Sequence, residues 1–284
     1  MERQQILNRI DADGLLPNLS PELSLLFRKI SAPTWQNDAA GVENLLQSSG
    51  FADSFLQYIR SPFFAYPADM ESLSDLLDLI DQQTVGALLT EFLLRQVLPQ
   101  QYRQTTNFDR RKHRRHTLGT AIAARAIAAK TKISQPDRLF AYGLLHDLGV
   151  TVLDICLPDL LEDIGHAQTE GTHQVVAEKK VLSGLTHEQI GGWLCDRWKL
   201  PLAVKSVVQY HHRPLLATSG IDETKMIYLA DMLSALQYED LIGFGLSQQT
   251  EITVRGHLGI TAAVLLVVER ELPQLMAEVT QLLE

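Results

Sequence analysis

The segment Phe140–Thr151, FAYGLLHDLGVT, sets an imidazole and a carboxylate side by side, His146 and Asp147, in an otherwise apolar run. The flanking Phe140, Leu144, Leu145 and Leu148 point to burial. Burying such a pair costs several kcal/mol unless each group finds a partner. The fold must therefore supply that partner.

Outward from this segment, apolar residues recur at helical spacing. Leu23, Leu26, Phe27 and Ile30 form one stripe, Leu73, Leu76, Leu77 and Ile80 another, and TVGALLTEFLLRQVL (84–98) keeps the same period. Alternating apolar and polar runs are scarce, so the expected class is all-α, a two-lobed helical bundle. The stretch PQQYRQTTNFDRRKHRRH, Pro99 to His116, is polar and has no stripe until the alanine-rich LGTAIAARAIAA begins. It predicts a hinge between an N-terminal lobe, 1–105, and a second lobe, 106–284.

The 284 residues are 45 % hydrophobic and 21 % charged, ordinary for a globular chain with a sizeable core. A net charge of −9 argues against nucleic acid and anionic membrane as partners. Two cysteines are too few for a disulfide framework, and MERQQILNRIDADG lacks the apolar run of a signal peptide, so the cytoplasm is the expected compartment. The apolar ITAAVLLVV (260–268) is interrupted by Glu269 and Arg270, short of the roughly 18 residues of a membrane span. Arg110, Arg111, Lys112, Arg114 and Arg115 read as a solvated connector, with an anion site as the alternative. The amphipathic LPQLMAEVTQLLE (272–284) reads as core packing, with a homodimer contact as the alternative.

The remaining histidines fall on helices too. Thr186 and Gln189 form a capping-box pattern, so His187 opens a helix whose inner face continues through Ile190, Gly191 and Leu194. Val204, Val207 and Val208 lead by helical spacing to His211 and His212, and Pro214 ends that helix. Asp231 shares a face with Ile227 and Tyr228, and His116 opens the alanine-rich helix. A lone inward histidine is most often a satisfied core residue. Seven such groups on apolar helices, His116, His146, Asp147, His187, His211, His212 and Asp231, call for a common compensation, and divalent metal ions accept imidazole and carboxylate together.

The order His, His-Asp, Asp resembles the HD superfamily of metal-dependent phosphohydrolases, and His187 with His211-His212 is similar to the extra histidines by which HD-GYP relatives hold a second metal. LPNLSPELSLLFRKI, LQYIRSPFF, FAYGLLHDLG, and GLTHEQIGGWLCDRWKLP with YHH resemble the HDOD domain, a signalling output module, over roughly residues 14–235. That resemblance implies two divalent metals, iron, manganese or similar, and a signalling protein or phosphorylated small molecule as partner.

Departures from the pattern qualify the implied activity. Val150 stands where HD-GYP enzymes carry a lysine, no Gly-Tyr-Pro follows His211-His212, and Lys112 falls where some relatives place an acidic third-metal ligand. Arg60 replaces the asparagine usual before the serine of the HDOD motif, and Asp81 falls where a glycine is expected. The expected function is a regulator that retains a di-metal site and acts mainly by binding proteins or small ligands. The alternative is an active phosphohydrolase with Asp147 as the catalytic bridging ligand, Lys205, Arg213 or the linker arginines standing in as phosphate-orienting cations. A di-iron redox or oxygen sensor fits the same donors.

Overall fold

The computed structural model describes residues 2–12, 14–99, 105–106, 108–168, 174–238 and 248–283, and among them every regular element is helical. The first half builds α1 (Arg3–Ala12), α2 (Pro21–Ile30), α3 (Ala39–Ser48), α4 (Ala52–Ile59), α5 (Leu73–Leu79) and α6 (Gln82–Val97). The second builds α7 (Arg110–Thr131), α8 (Pro136–Leu145), α9 (Leu148–Cys156), α10 (Pro158–Ala167), α11 (Gln174–Val181), α12 (His187–Trp198), α13 (Leu202–Tyr210), α14 (Ile221–Tyr238), α15 (Gln248–Leu258) and α16 (Ala262–Leu283).

Local chemistry explains several of the boundaries. Ser20 accepts from the Leu23 N–H with Pro21 in the first turn of α2, and Ser72 with Asp75 closes a capping box on α5. Asp81, at the expected glycine position, caps α6 through the N–H groups of Gln83 and Thr84. Arg60 donates to the Met70 carbonyl and so ties down the chain after α4.

One boundary corrects the sequence reading. The basic stretch is not all connector, because α7 starts at Arg110 and His116 sits in its second turn rather than at its start. Asp109 makes this early start favourable by accepting from the N–H groups of Arg111 and Lys112 at 2.9 and 3.1 Å, offsetting the basic side chains at the positive end of the helix dipole. Arg110 is not part of a solvated run either, since it grips the buried Asp154 of α9 with two bonds of 2.6 and 2.8 Å. Part of the expected hinge, 100–104 and 107, lies outside the described residues.

Helix α7 is the spine of the second half and packs against α8, α14 and α16. Leu265, Val268, Leu272, Met276 and Val279 of α16 are buried at helical spacing, the core outcome of the two considered for that segment. The apolar run Pro136–Cys156 has the length and hydropathy of a membrane span, yet it is 89 % buried within the fold, as a core helix is. The halves meet through Phe63 and Phe64 against Phe140 of α8, with ring centroids 4.5 and 6.0 Å apart, and through Arg138, which bonds Asp81 at 2.8 Å and Glu223 at 3.0 Å.

Two glycine contacts set how closely the helices of the second half approach. A Cβ on Gly143 would meet the Ala121 Cα at 2.4 Å, and one on Gly149 would meet the His187 carbonyl oxygen at 1.8 Å. Gly191 faces Gly149 from α12, so α9 and α12 touch backbone to backbone. Gly149→Ala is expected to destabilise the chain by about 3 kcal/mol or more in urea denaturation. Gly256→Ala, in an open position inside α15, is expected to stabilise it by about 0.5–1 kcal/mol.

Candidate metal centre

The seven predicted side chains converge. His116 projects from α7, His146 follows the last residue of α8, Asp147 caps α9, His187 begins α12, His211 and His212 follow α13, and Asp231 lies in α14. All are buried except His212, which is partly so. The Thr186–Gln189 capping box is present and fixes where α12 starts, hence where His187 points.

Their donor atoms form two groups of three. One is His116, His146 and Asp231, the other His187, His211 and His212, and within each the donors lie within 4.8 Å of one another. In the first group the His116 Nε2 is 3.0 Å from Asp231 Oδ1 and 3.3 Å from His146 Nε2. In the second, His187 Nε2 and His211 Nε2 are 3.1 Å apart.

Asp147 stands between the groups. Its Oδ2 is 3.4 Å from His146 Nε2 and 3.8 Å from His116 Nε2, while its Oδ1 is 3.4 Å from His187 Nε2 and 3.5 Å from His211 Nε2. Each oxygen thus faces a different group. Donors bound to one divalent ion at roughly 2.0–2.2 Å lie about 3.0–3.5 Å from each other, the spacing seen here.

The tautomers make the case for a cation stronger. His146 Nδ1 lies 2.7 Å from the Gly143 carbonyl, and His211 Nδ1 3.1 Å from that of Val208, so in both rings Nδ1–H donates outward. His187 Nδ1–H donates to Glu178 at 2.7 Å, and the same carboxylate accepts the His187 backbone N–H at 2.9 Å. Three Nε2 lone pairs are thereby turned toward carboxylate oxygens, an arrangement of acceptors that a positive charge at the centre would satisfy. The donor set fits divalent metal.

Protonation follows the same pattern. Burial works to raise the Asp147 carboxyl, but the imidazoles of His146 and His187 outweigh it and hold it well below the usual carboxylate range. At Asp231, burial is likewise overcome, chiefly by the hydrogen bond from His116 and its charge, and the carboxyl is lowered. Burial pushes His211 down to about 3 and His113 down to about 4, so both rings are neutral near pH 7. His187 goes the other way: burial disfavours its imidazolium, yet Glu178 raises it to about 10. A proton there supplies positive charge to the cluster, the role a metal ion would take over.

Two neighbours escaped the sequence reading. His113 places Nδ1 3.8 Å from Asp147 Oδ2, and its spacing of three residues from His116 along α7 was a signal that could have been used. Glu178, wholly buried on α11, holds His187, and nothing in AEKKV announces it. A small cavity of about 40 Å³, room for water, reaches Asp147 between Lys112, His113, Val150, Leu161 and Gln174.

The fold is shared with solved structures. It superposes on an HDOD domain protein of unknown function from Geobacter sulfurreducens with a TM-score of 0.68, 17 % identity and coverage of 99 % of this chain and 96 % of that one. A proposed phosphohydrolase from Shewanella amazonensis SB2B gives 0.64, 20 % identity and 97 % of each chain. A proposed signal transduction protein from Marinobacter aquaeolei VT8 gives 0.67, 17 % identity, 99 % of this chain and 66 % of that one. An uncharacterized protein of Treponema pallidum (strain Nichols) is 25 % identical over 227 residues, and the match spans 75 % of this chain but only 42 % of that protein's length. The family model of the HDOD domain matches residues 21–214, more than half of the chain and the part that carries five of the six donor histidines and aspartates before α14, so the chain belongs to the HDOD domain family.

Proposed function

We propose that this chain is a regulatory HDOD protein that holds two divalent metal ions, one in each histidine group, and acts mainly by binding a signalling protein or a small ligand. The observation that carries this reading is Asp147, with one carboxylate oxygen toward each group of donors. His116, His146 and Asp231 would hold one ion, His187, His211 and His212 the other, and Asp147 would bridge them. Glu178 would orient His187, and a carboxylate in that position strengthens the imidazole as a ligand.

A regulatory rather than catalytic role is supported by where the cationic side chains go. Phosphoryl transfer depends on groups that position the phosphate and neutralise its charge. Val150 is buried at the position of the missing lysine. Lys205 bonds Asp196 at 2.6 Å, Arg213 lies 3.5 Å from Glu188, and Arg110 is engaged by Asp154, so each of these candidate substitutes is held by another acid. The cavity at Asp147 is also far smaller than a small-molecule site of about 300–1,000 Å³.

The second reading, a metal-dependent phosphohydrolase, is favoured by one feature: Lys112 borders the cavity at Asp147. Bound divalent ions would supply a water of lowered pKa and charge for the phosphoryl oxygens. The chain's own part would be to orient the phosphate with Lys112.

Two outcomes are expected. Elemental analysis of chain purified without chelator should find about two metal equivalents, falling to about one in His116→Ala and in His187→Ala, and further in Asp147→Ala; an unmetallated chain would remove the proposal. Manganese- or iron-loaded protein, offered cyclic dinucleotides, nucleotides and an aryl phosphodiester, should turn over at less than about 1 s⁻¹, whereas rates of about 1–10³ s⁻¹ abolished by Asp147→Ala would favour the enzyme.

A further inference from the structure

A second cavity, of about 500 Å³, opens between the two halves of the chain and shares no lining residue with the candidate metal centre. Ile30, Trp35 and Gly86 line it from the first half, and Tyr142, Val204 and the first turn of α14 from the second. Its size falls in the range of small-molecule sites, about 300–1,000 Å³.

Two polar groups mark it as built for a ligand. Tyr142 is 3 % exposed and Trp35 is 5 % exposed, and neither the phenol O–H nor the indole N–H bonds another group of the described chain. Buried donors normally find acceptors, and Tyr and Trp do so especially. Gly86 makes room for the indole nitrogen, since a Cβ there would lie 3.5 Å from it. Pro33, Ala87 and Leu202 add an apolar wall.

The charge of the lining narrows the ligand class. No lysine, arginine or histidine lines the cavity, whereas Asp222 and Glu223 do, so a phosphate or carboxylate would meet repulsion without compensation. Two donors, an aromatic wall and an acidic margin suit a flat, uncharged ring system that has acceptor atoms on one edge and N–H groups on another. We infer that this cavity binds a neutral nitrogen heterocycle of the purine class, as base or nucleoside, with Tyr142 and Trp35 donating to its acceptors.

The inference does not depend on metal binding, but the geography links the two sites. Tyr142 lies one turn before His146, Val204 lies on the helix that leads to His211, and the first turn of α14 belongs to the helix that carries Asp231. An occupied cavity would press on three of the elements that deliver donors to the cluster.

Calorimetric titration of the full chain with adenosine, guanosine and inosine, with adenosine 5′-monophosphate as the charged counterpart, tests this directly. Saturable binding of at least one nucleoside is expected, weakened about tenfold by Tyr142→Phe or Trp35→Phe, with the monophosphate binding less tightly than adenosine. The Trp35 indole N–H resonance, identified by its loss in Trp35→Phe, should shift during the titration. No saturation with any nucleoside by about 1 mM, affinity unchanged in both variants, tighter binding of the monophosphate, or a static indole resonance would each overturn the proposal.

Discussion

Everything around the candidate centre answers to one constraint: a buried carboxylate, Asp147, shares its two oxygens between two sets of imidazoles whose lone pairs face inward. Seven polar groups at the meeting point of six helices would be a severe desolvation cost in a chain without compensating charge. Divalent cation satisfies them together, which is why an arrangement so unfavourable residue by residue is coherent as a whole. The outward Nδ1 contacts of His146, His187 and His211 hold the rings in the orientation this requires.

The scaffold is shaped to the same end. His146 and Asp147 occupy the break between α8 and α9, so neighbours in sequence leave the chain at a helix end and can aim at one point. Gly149 and Gly191 bring α9 and α12 together at backbone distance, which places His187 against Asp147. Gly143 against Ala121 does the same for α8 and α7 and so sets His146 beside His116. Small residues at these crossings are thus as much a part of the site as its ligand atoms, and a single added methyl would push the donors apart.

Much of this was legible in the sequence. Helical periodicity fixed the class, the Thr186–Gln189 box located α12 and its first residue His187, and the inward faces of Val204, Val208 and Ile227 pointed to His211, His212 and Asp231. The early start of α7 was not legible from hydrophobic spacing, because its first turns are basic and owe their order to the Asp109 cap and the Arg110–Asp154 pair. Glu178 and the glycine contacts depend on residues distant in sequence whose proximity only tertiary packing creates. The cavity between the halves is likewise a product of packing: Trp35 and Tyr142 each read as an ordinary core aromatic until the fold sets their polar ends against the same void.

The central claim is a bridged pair of metal sites, and anomalous diffraction from crystals of manganese- or iron-loaded protein measures it most directly. The account predicts two peaks roughly 3.5–4 Å apart, one within bonding distance of His116, His146 and Asp231, the other of His187, His211 and His212, with an Asp147 oxygen on each. A single peak, or none among these donors, would contradict it.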